Sequence, residues 1–215
     1  ERPYAWAMAI YLGHTSALEF WRNHDWPSAG ASGPVRIDRL GPSFSIEREM
    51  LSSVPPLLEL NSPLEVLVNN SARRACSSLV RAHYWKWGGI YLPLENNVFV
   101  ASPEDTFLQL AHDFDFPELL LLGYELCGSY RFPVFGGETS YGRPVCMTAE
   151  SLQRALDGRE GMHGIKRVRL TLRYLLPNPA SPMETVLVLM LILPPRLGGY
   201  GFPAPELNMR CYVYE

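Results

Sequence analysis

Residues 177–208 read PNPASPMETVLVLMLILPPRLGGYGFPAPELN, and the fold class turns on how this stretch is read. Ser181 is a natural N-cap, Pro182 suits the first helical position, and Glu184 lies three residues after the cap. From Met183 to Leu193 the run is almost wholly apolar. That pattern predicts a helix over 182–193, buried on most sides. About a dozen residues are too few to span a bilayer. Pro194 and Pro195 end the helix, and the glycines at 198, 199 and 201 mark turns. Glu184 is the one ionisable side chain in the helix. It is either a cap or a catalytic acid, and the spacing favours the cap.

Outside this stretch the 215 residues have the composition of a globular protein, 47% hydrophobic and 19% charged. The net charge of −3 gives no global attraction to nucleic acid, so any DNA contact needs a local basic patch. Cys76, Cys127, Cys146 and Cys211 stand far apart, without metal-site spacing, which fits a reduced, cytoplasmic compartment. No apolar run reaches membrane length and no signal peptide is visible, so no membrane partner is expected.

The rest of the chain predicts an α+β fold, with mixed small sheets and several apolar helices. Residues 7–12 and 64–68 read as buried strands, and 90–92 and 97–100 as two more. Between the first two, His14-Thr15-Ser16 opens a short helix, with Ser16 and Glu19 as a capping box. Residues 23–63 are rich in Pro, Gly and Ser, and one short helix is expected near 47–51. Ser102 and Pro103 start a helix whose first turn carries Glu104 and Asp105, placed to complement the helix dipole. Further helices are predicted over 117–126, after Thr148, and over 163–176. In the last, Val168, Leu170, Leu172 and Tyr174 also alternate like a strand, but Ile165, Val168, Leu172, Leu175 and Leu176 form an apolar stripe that spans the whole segment and favours the helix.

Two segments carry candidate nucleic-acid contacts. Arg73, Arg74 and Arg81 lie near Tyr84, Trp85 and Trp87, and cations interleaved with aromatics suit phosphates and bases. Lys166, Arg169 and Arg173 share one face of the 163–176 helix, where they could track a phosphate backbone. A solvated face is the structural alternative for both. There is no Walker loop, nucleophile elbow or H-E-x-x-H.

Residues 98–111 (VFVASPEDTFLQLA) resemble the strand, S-P-E, apolar-helix segment of AbiEi-type antitoxin-like proteins, bacterial regulators of abortive-infection toxin–antitoxin pairs. Residues 13–22, 119–130 and 181–208 resemble a version of this architecture in gut actinobacteria. In related chains a segment like 181–184, followed by an apolar helix and Gly-Phe-Pro-Ala-Pro, opens a very-short-patch-repair-like nuclease domain of the PD-(D/E)XK class. The resemblance implies an AbiEi-like regulatory region over 1–176, and over 177–215 the start of a restriction-endonuclease-like domain. It implies DNA or a cognate toxin as partner. Glu184 would match the acid on the first nuclease helix, and Mg²⁺ would be the cofactor of that reading alone. The further carboxylates such a site needs do not follow, since no Asp occurs after Asp157. The expectation is therefore a DNA-associated regulator or defence protein without catalysis of its own. The alternatives are an incomplete metal-dependent nuclease and an interaction module for a cognate toxin.

Overall fold

The computed structural model describes residues 9–25, 33–40, 58–71 and 76–208. The helix expected near 47–51, together with Arg73, Arg74 and Cys211, lies outside these residues. The fold is α+β, and the chain divides into two compact units, residues 1–110 and 111–215. No helix among the described residues is long and apolar enough to cross a membrane.

The first unit is built on a mixed six-stranded sheet. Its strands are β1 (Ile10–Leu12), β2 (Val35–Ile37), β3 (Leu64–Val68), β4 (Val80–Tyr84), β5 (Gly89–Pro93) and β6 (Val98–Ala101). The order across the sheet is β2-β5-β6-β1-β3-β4. β1 runs parallel to β6 and antiparallel to β3, and β3 runs parallel to β4. Every residue of β1, β3 and β6 is buried, as continuous apolar runs require when both faces are covered. The edge strand β4 is partly exposed and carries the polar residues Arg81 and His83.

Helices α1 (His14–Asn23) and α2 (Pro103–Leu110) pack against each other and against the sheet. Trp21, fully buried on α1, donates its indole N–H to the Ala101 carbonyl at 2.8 Å and so fixes α1 to β6. The predicted capping box on α1 does not form. The helix begins two residues earlier than Ser16, after Gly13, with no side-chain cap. Ser16 instead accepts the Glu65 N–H at 2.9 Å, and Glu19 takes the backbone and side-chain N–H groups of Asn61. Both residues therefore tie α1 to the approach of β3. The cap on α2 does form, with Ser102 Oγ accepting from Asp105 N–H. Asp105 is buried and also accepts the Ile90 N–H at 2.7 Å, a sheet contact beyond the dipole role.

The second unit holds α3 (Phe116–Cys127), the two-stranded β7 (Tyr130–Arg131) and β8 (Ser140–Tyr141), α4 (Ala149–Ala155), α5 (Ile165–Leu172) and α6 (Pro182–Ile192). Capping boxes start α3 (Asp115 with Glu118) and α4 (Thr148 with Ser151). α3 is its central helix, packing against α5, α6 and β7. Tyr124 on α3 gives its hydroxyl to the Tyr174 carbonyl at 2.7 Å, and Tyr130 shares a hydrogen bond with Thr185 on α6 at 3.0 Å. Burial pushes both phenols up to about 12, so they act as neutral cross-links.

α6 departs from its expected burial. Thr185, Val188, Leu189 and Ile192 face inward, but Met183, Val186, Leu187 and Met190 are exposed. The helix is apolar all round and only one face is covered.

Candidate nucleic-acid interface and the buried histidine–carboxylate cluster

In the second unit the predicted basic face is present. Val168 and Thr171 turn inward on α5, and a 3.6-residue period then places Lys166, Arg169 and Arg173 together on the outer side. All three are exposed. Among the described residues none of them pairs with a carboxylate within 4 Å. Arg167, one position off this face, is used differently. Its guanidinium donates to the carbonyls of Ala111 (2.8 Å) and Phe114 in the turn before α3. Its charge is therefore committed inside the unit, which leaves three cations directed outward. The helix C-terminus also favours positive charge at Arg169 and Arg173, a structural benefit that does not use up their capacity for a phosphate.

Arg81 lies in the first unit and its position differs from that of the α5 cations. Its Nη1 is 3.0 Å from Glu65 Oε1, although half of the side chain remains exposed. Glu65 itself is buried on β3. Its Oε2 accepts the Thr15 N–H at 3.3 Å and stands 3.5 Å from His83 Nε2. Burial alone would raise the Glu65 pKa. The contact with His83 and the Thr15 N–H outweigh it and lower the carboxyl from 4.5 to about 2. Arg81 and His83 are two apart on β4, in register with Glu65 and Leu67 of β3, so one sheet face gathers the whole group.

His14 completes this cluster from above. It is the first residue of α1, with φ of 47°, and its N–H donates to Gln109 Oε1 at 2.9 Å. A side chain at the preceding Gly13 would strike Leu67 and Gln109, so the turn into α1 requires glycine. The His14 ring stacks on His83, with centroids 3.7 Å apart and planes inclined by 21°.

Donor atoms of His14, Glu65 and His83 lie within 4.8 Å of one another, close enough to suggest a shared metal ion. The ring geometry argues otherwise. An ion must lie in the plane of each imidazole that binds it. Stacked rings with centroids 3.7 Å apart and planes inclined by 21° have planes that converge only well beyond the length of a metal–imidazole bond, about 2 Å. Arg81 already brings a positive charge to the carboxylate. The cluster is better suited to joining α1, β3 and β4 than to holding a cation.

Glu184 lies in neither group. Ser181 Oγ accepts the Glu184 N–H at 3.1 Å, as the cap predicts. The returning carboxylate reaches Ala180 N–H at 2.5 Å, one residue before the N-cap, and approaches the Asn208 amide at 3.4 Å. The reciprocal half of the expected box is therefore shifted by one residue. Among the described residues Glu184 joins no group of three side chains close enough to share an ion.

The sequence reading missed Arg131. It is almost fully buried and donates to the carbonyls of Glu125, Gly128, Tyr130 and Pro144 and to Cys146 Sγ. Its place between two turn-rich segments gave no periodic signal. Compared with family models, with curated proteins and with solved structures, the chain matches none.

Proposed function

We propose that this chain is a DNA-associated regulator of the bacterial defence or toxin–antitoxin kind, cytoplasmic, and acting by contact rather than by catalysis of its own. The observation that carries this reading is the outer face of α5, where Lys166, Arg169 and Arg173 present three cations with no carboxylate paired to them among the described residues. Because the chain as a whole is negative, such a patch contributes locally and its binding is salt-sensitive. The resemblance of residues 98–111 to AbiEi-type proteins supports the same class of activity. The nuclease reading asks Glu184 to hold a metal, and its carboxylate is engaged at the helix start instead.

The test is fluorescence anisotropy with duplex DNA at low salt, comparing the wild type with a Lys166→Ala/Arg169→Ala/Arg173→Ala variant. All three side chains are exposed, so the variant should keep its fold. Wild-type binding that the variant loses supports the proposal. Absence of wild-type binding with the protein folded overturns it.

A further inference from the structure

The exposed face of α6 is an apolar surface of the second unit that the fold does not account for. Met183, Val186, Leu187 and Met190 follow the i, i+3, i+4, i+7 spacing of a helical contact stripe, and Met183 is 75% and Leu187 57% exposed. The chain then folds back on the end of the helix. Tyr200 N–H donates to the Met190 carbonyl and Phe202 N–H to that of Leu191, both at 2.8 Å. These bonds place the exposed and mutually stacked rings of Tyr200 and Phe202 at the C-terminal end of the stripe. Taken with their exposures, the six side chains present on the order of 600 Å² of apolar surface, against about 800 Å² per partner in a standard interface. No charged residue interrupts the stripe.

We infer that this face is an isologous dimer interface, and that the partner is a second copy of the chain with its α6 antiparallel. The order of the stripe argues for this occupant. Read from either end it runs methionine, branched aliphatic, branched aliphatic, methionine. A two-fold axis between positions 186 and 187 sets Met183 against Met190 of the partner subunit and Val186 against Leu187 of the partner subunit. Each surface is then its own complement, as a two-fold interface requires. The same axis brings the Tyr200 and Phe202 end of one helix beside the Met183 end of the other, where thioether–aromatic contacts are favourable. This inference deepens the proposed function, because a two-fold regulator presents two α5 faces. It is measured without DNA, however, so its failure is distinct from a failure of DNA binding.

Sedimentation velocity across about 1–100 μM, with interface energies scaled as for other complexes, reads the association directly. The wild type should sediment at twice the 24.3 kDa chain mass at the upper end of this range. Val186→Glu and Leu187→Lys each place a charge on an already exposed position, so each should keep native circular dichroism and melting. Each alone should weaken self-association by about 100-fold or more, since an unpaired charge is buried twice. An equimolar mixture of the two variants should recover the dimer, because the introduced carboxylate then faces the introduced ammonium. Phe135→Ser, at an exposed aromatic elsewhere in the unit, should leave association unchanged. A monomeric wild type at 100 μM overturns the inference and leaves the face to a different protein, such as a toxin. A dimer that survives both charged variants also overturns it, and failure of the mixture to recover overturns the antiparallel register.

Discussion

Glu65 and Arg131 bury charge, as Asp105 and Glu125 also do among the described residues, and each of the first two predicts a distinct loss. The Glu65 pKa is lower in the folded chain than in the unfolded one, so the unfolded state binds more protons when the solution is acidified. The stabilisation is complete above about pH 4.5 and disappears as pH falls toward about 2. Glu65→Gln should remove this acid limb from a plot of stability against pH. The variant should be about 1–2 kcal/mol less stable than the wild type at pH 7, a figure discounted because Arg81 is half exposed. An unchanged acid limb, followed by chemical denaturation at several pH values, would separate Glu65 from acid sensitivity. Arg131→Met keeps the stem and deletes every donor to the four surrounding carbonyls. A loss of about 3–5 kcal/mol in urea unfolding is expected. Neither residue was legible as a hub. Glu65 sat inside an apolar strand, and its partners are 16 to 50 positions away. The caps at Ser102, Thr148 and Ser181 were legible, because donor and acceptor lie only three residues apart.

At the scale of the element, α6 shows what periodicity cannot decide. A run that is apolar on every side gives no phase, so the expected burial on most sides had no face attached to it. The structure supplies the phase and predicts opposite outcomes for two leucines separated by a single residue. Leu189 faces inward at 9% exposure, and Leu189→Asp should unfold the protein, since a buried unpaired charge costs several kcal/mol, comparable to the whole stability. Leu187→Asp should melt near the wild type. Equal melting of the two variants would mean that the helix is rotated from its described phase. The start of the same helix gives a smaller effect. Glu184→Gln retains an oxygen for the Ala180 N–H and loses only the charge term, so its thermal melt should show a loss below about 1 kcal/mol. A metal-dependent nicking activity that this change abolished would instead return Glu184 to catalysis. α5 is legible as a helix because its stripe has a phase, with Ile165 and Val168 buried and Lys166 and Arg169 outward, although the helix covers Ile165–Leu172 rather than the whole of 163–176. The order of the six strands was not legible. Ladder partners such as Ile10 and Val98 are far apart in the chain, and nothing local encodes which buried strand lies beside which.

At the scale of the whole molecule, charge and assembly together determine how the protein would meet DNA. A net charge of −3 repels a polyanion at long range, so under the proposed function affinity would come at short range from a local patch, with α5 as the proposed one. Three phosphate contacts per chain predict a log–log slope of affinity against salt of about −3, because each neutralised phosphate releases close to one counterion. If two chains associate through α6 and both α5 faces reach the same duplex, the slope should approach about −5 to −6. Leu187→Lys is unsuitable for this comparison because it adds a cation, whereas Val186→Glu disrupts the same contact with a negative charge remote in type from the α5 patch. The measurement is therefore anisotropy from about 50 to 200 mM salt for the wild type, Val186→Glu and the α5 triple-alanine variant. A steep slope for the wild type, about half that slope for Val186→Glu and almost none for the triple variant is the expected order. Equal slopes for the wild type and Val186→Glu would mean that DNA engages one chain at a time, even if the dimer forms. A steep slope that persists in the triple variant would remove α5 from the interface and direct attention to the cations of the first unit, beginning with Arg81.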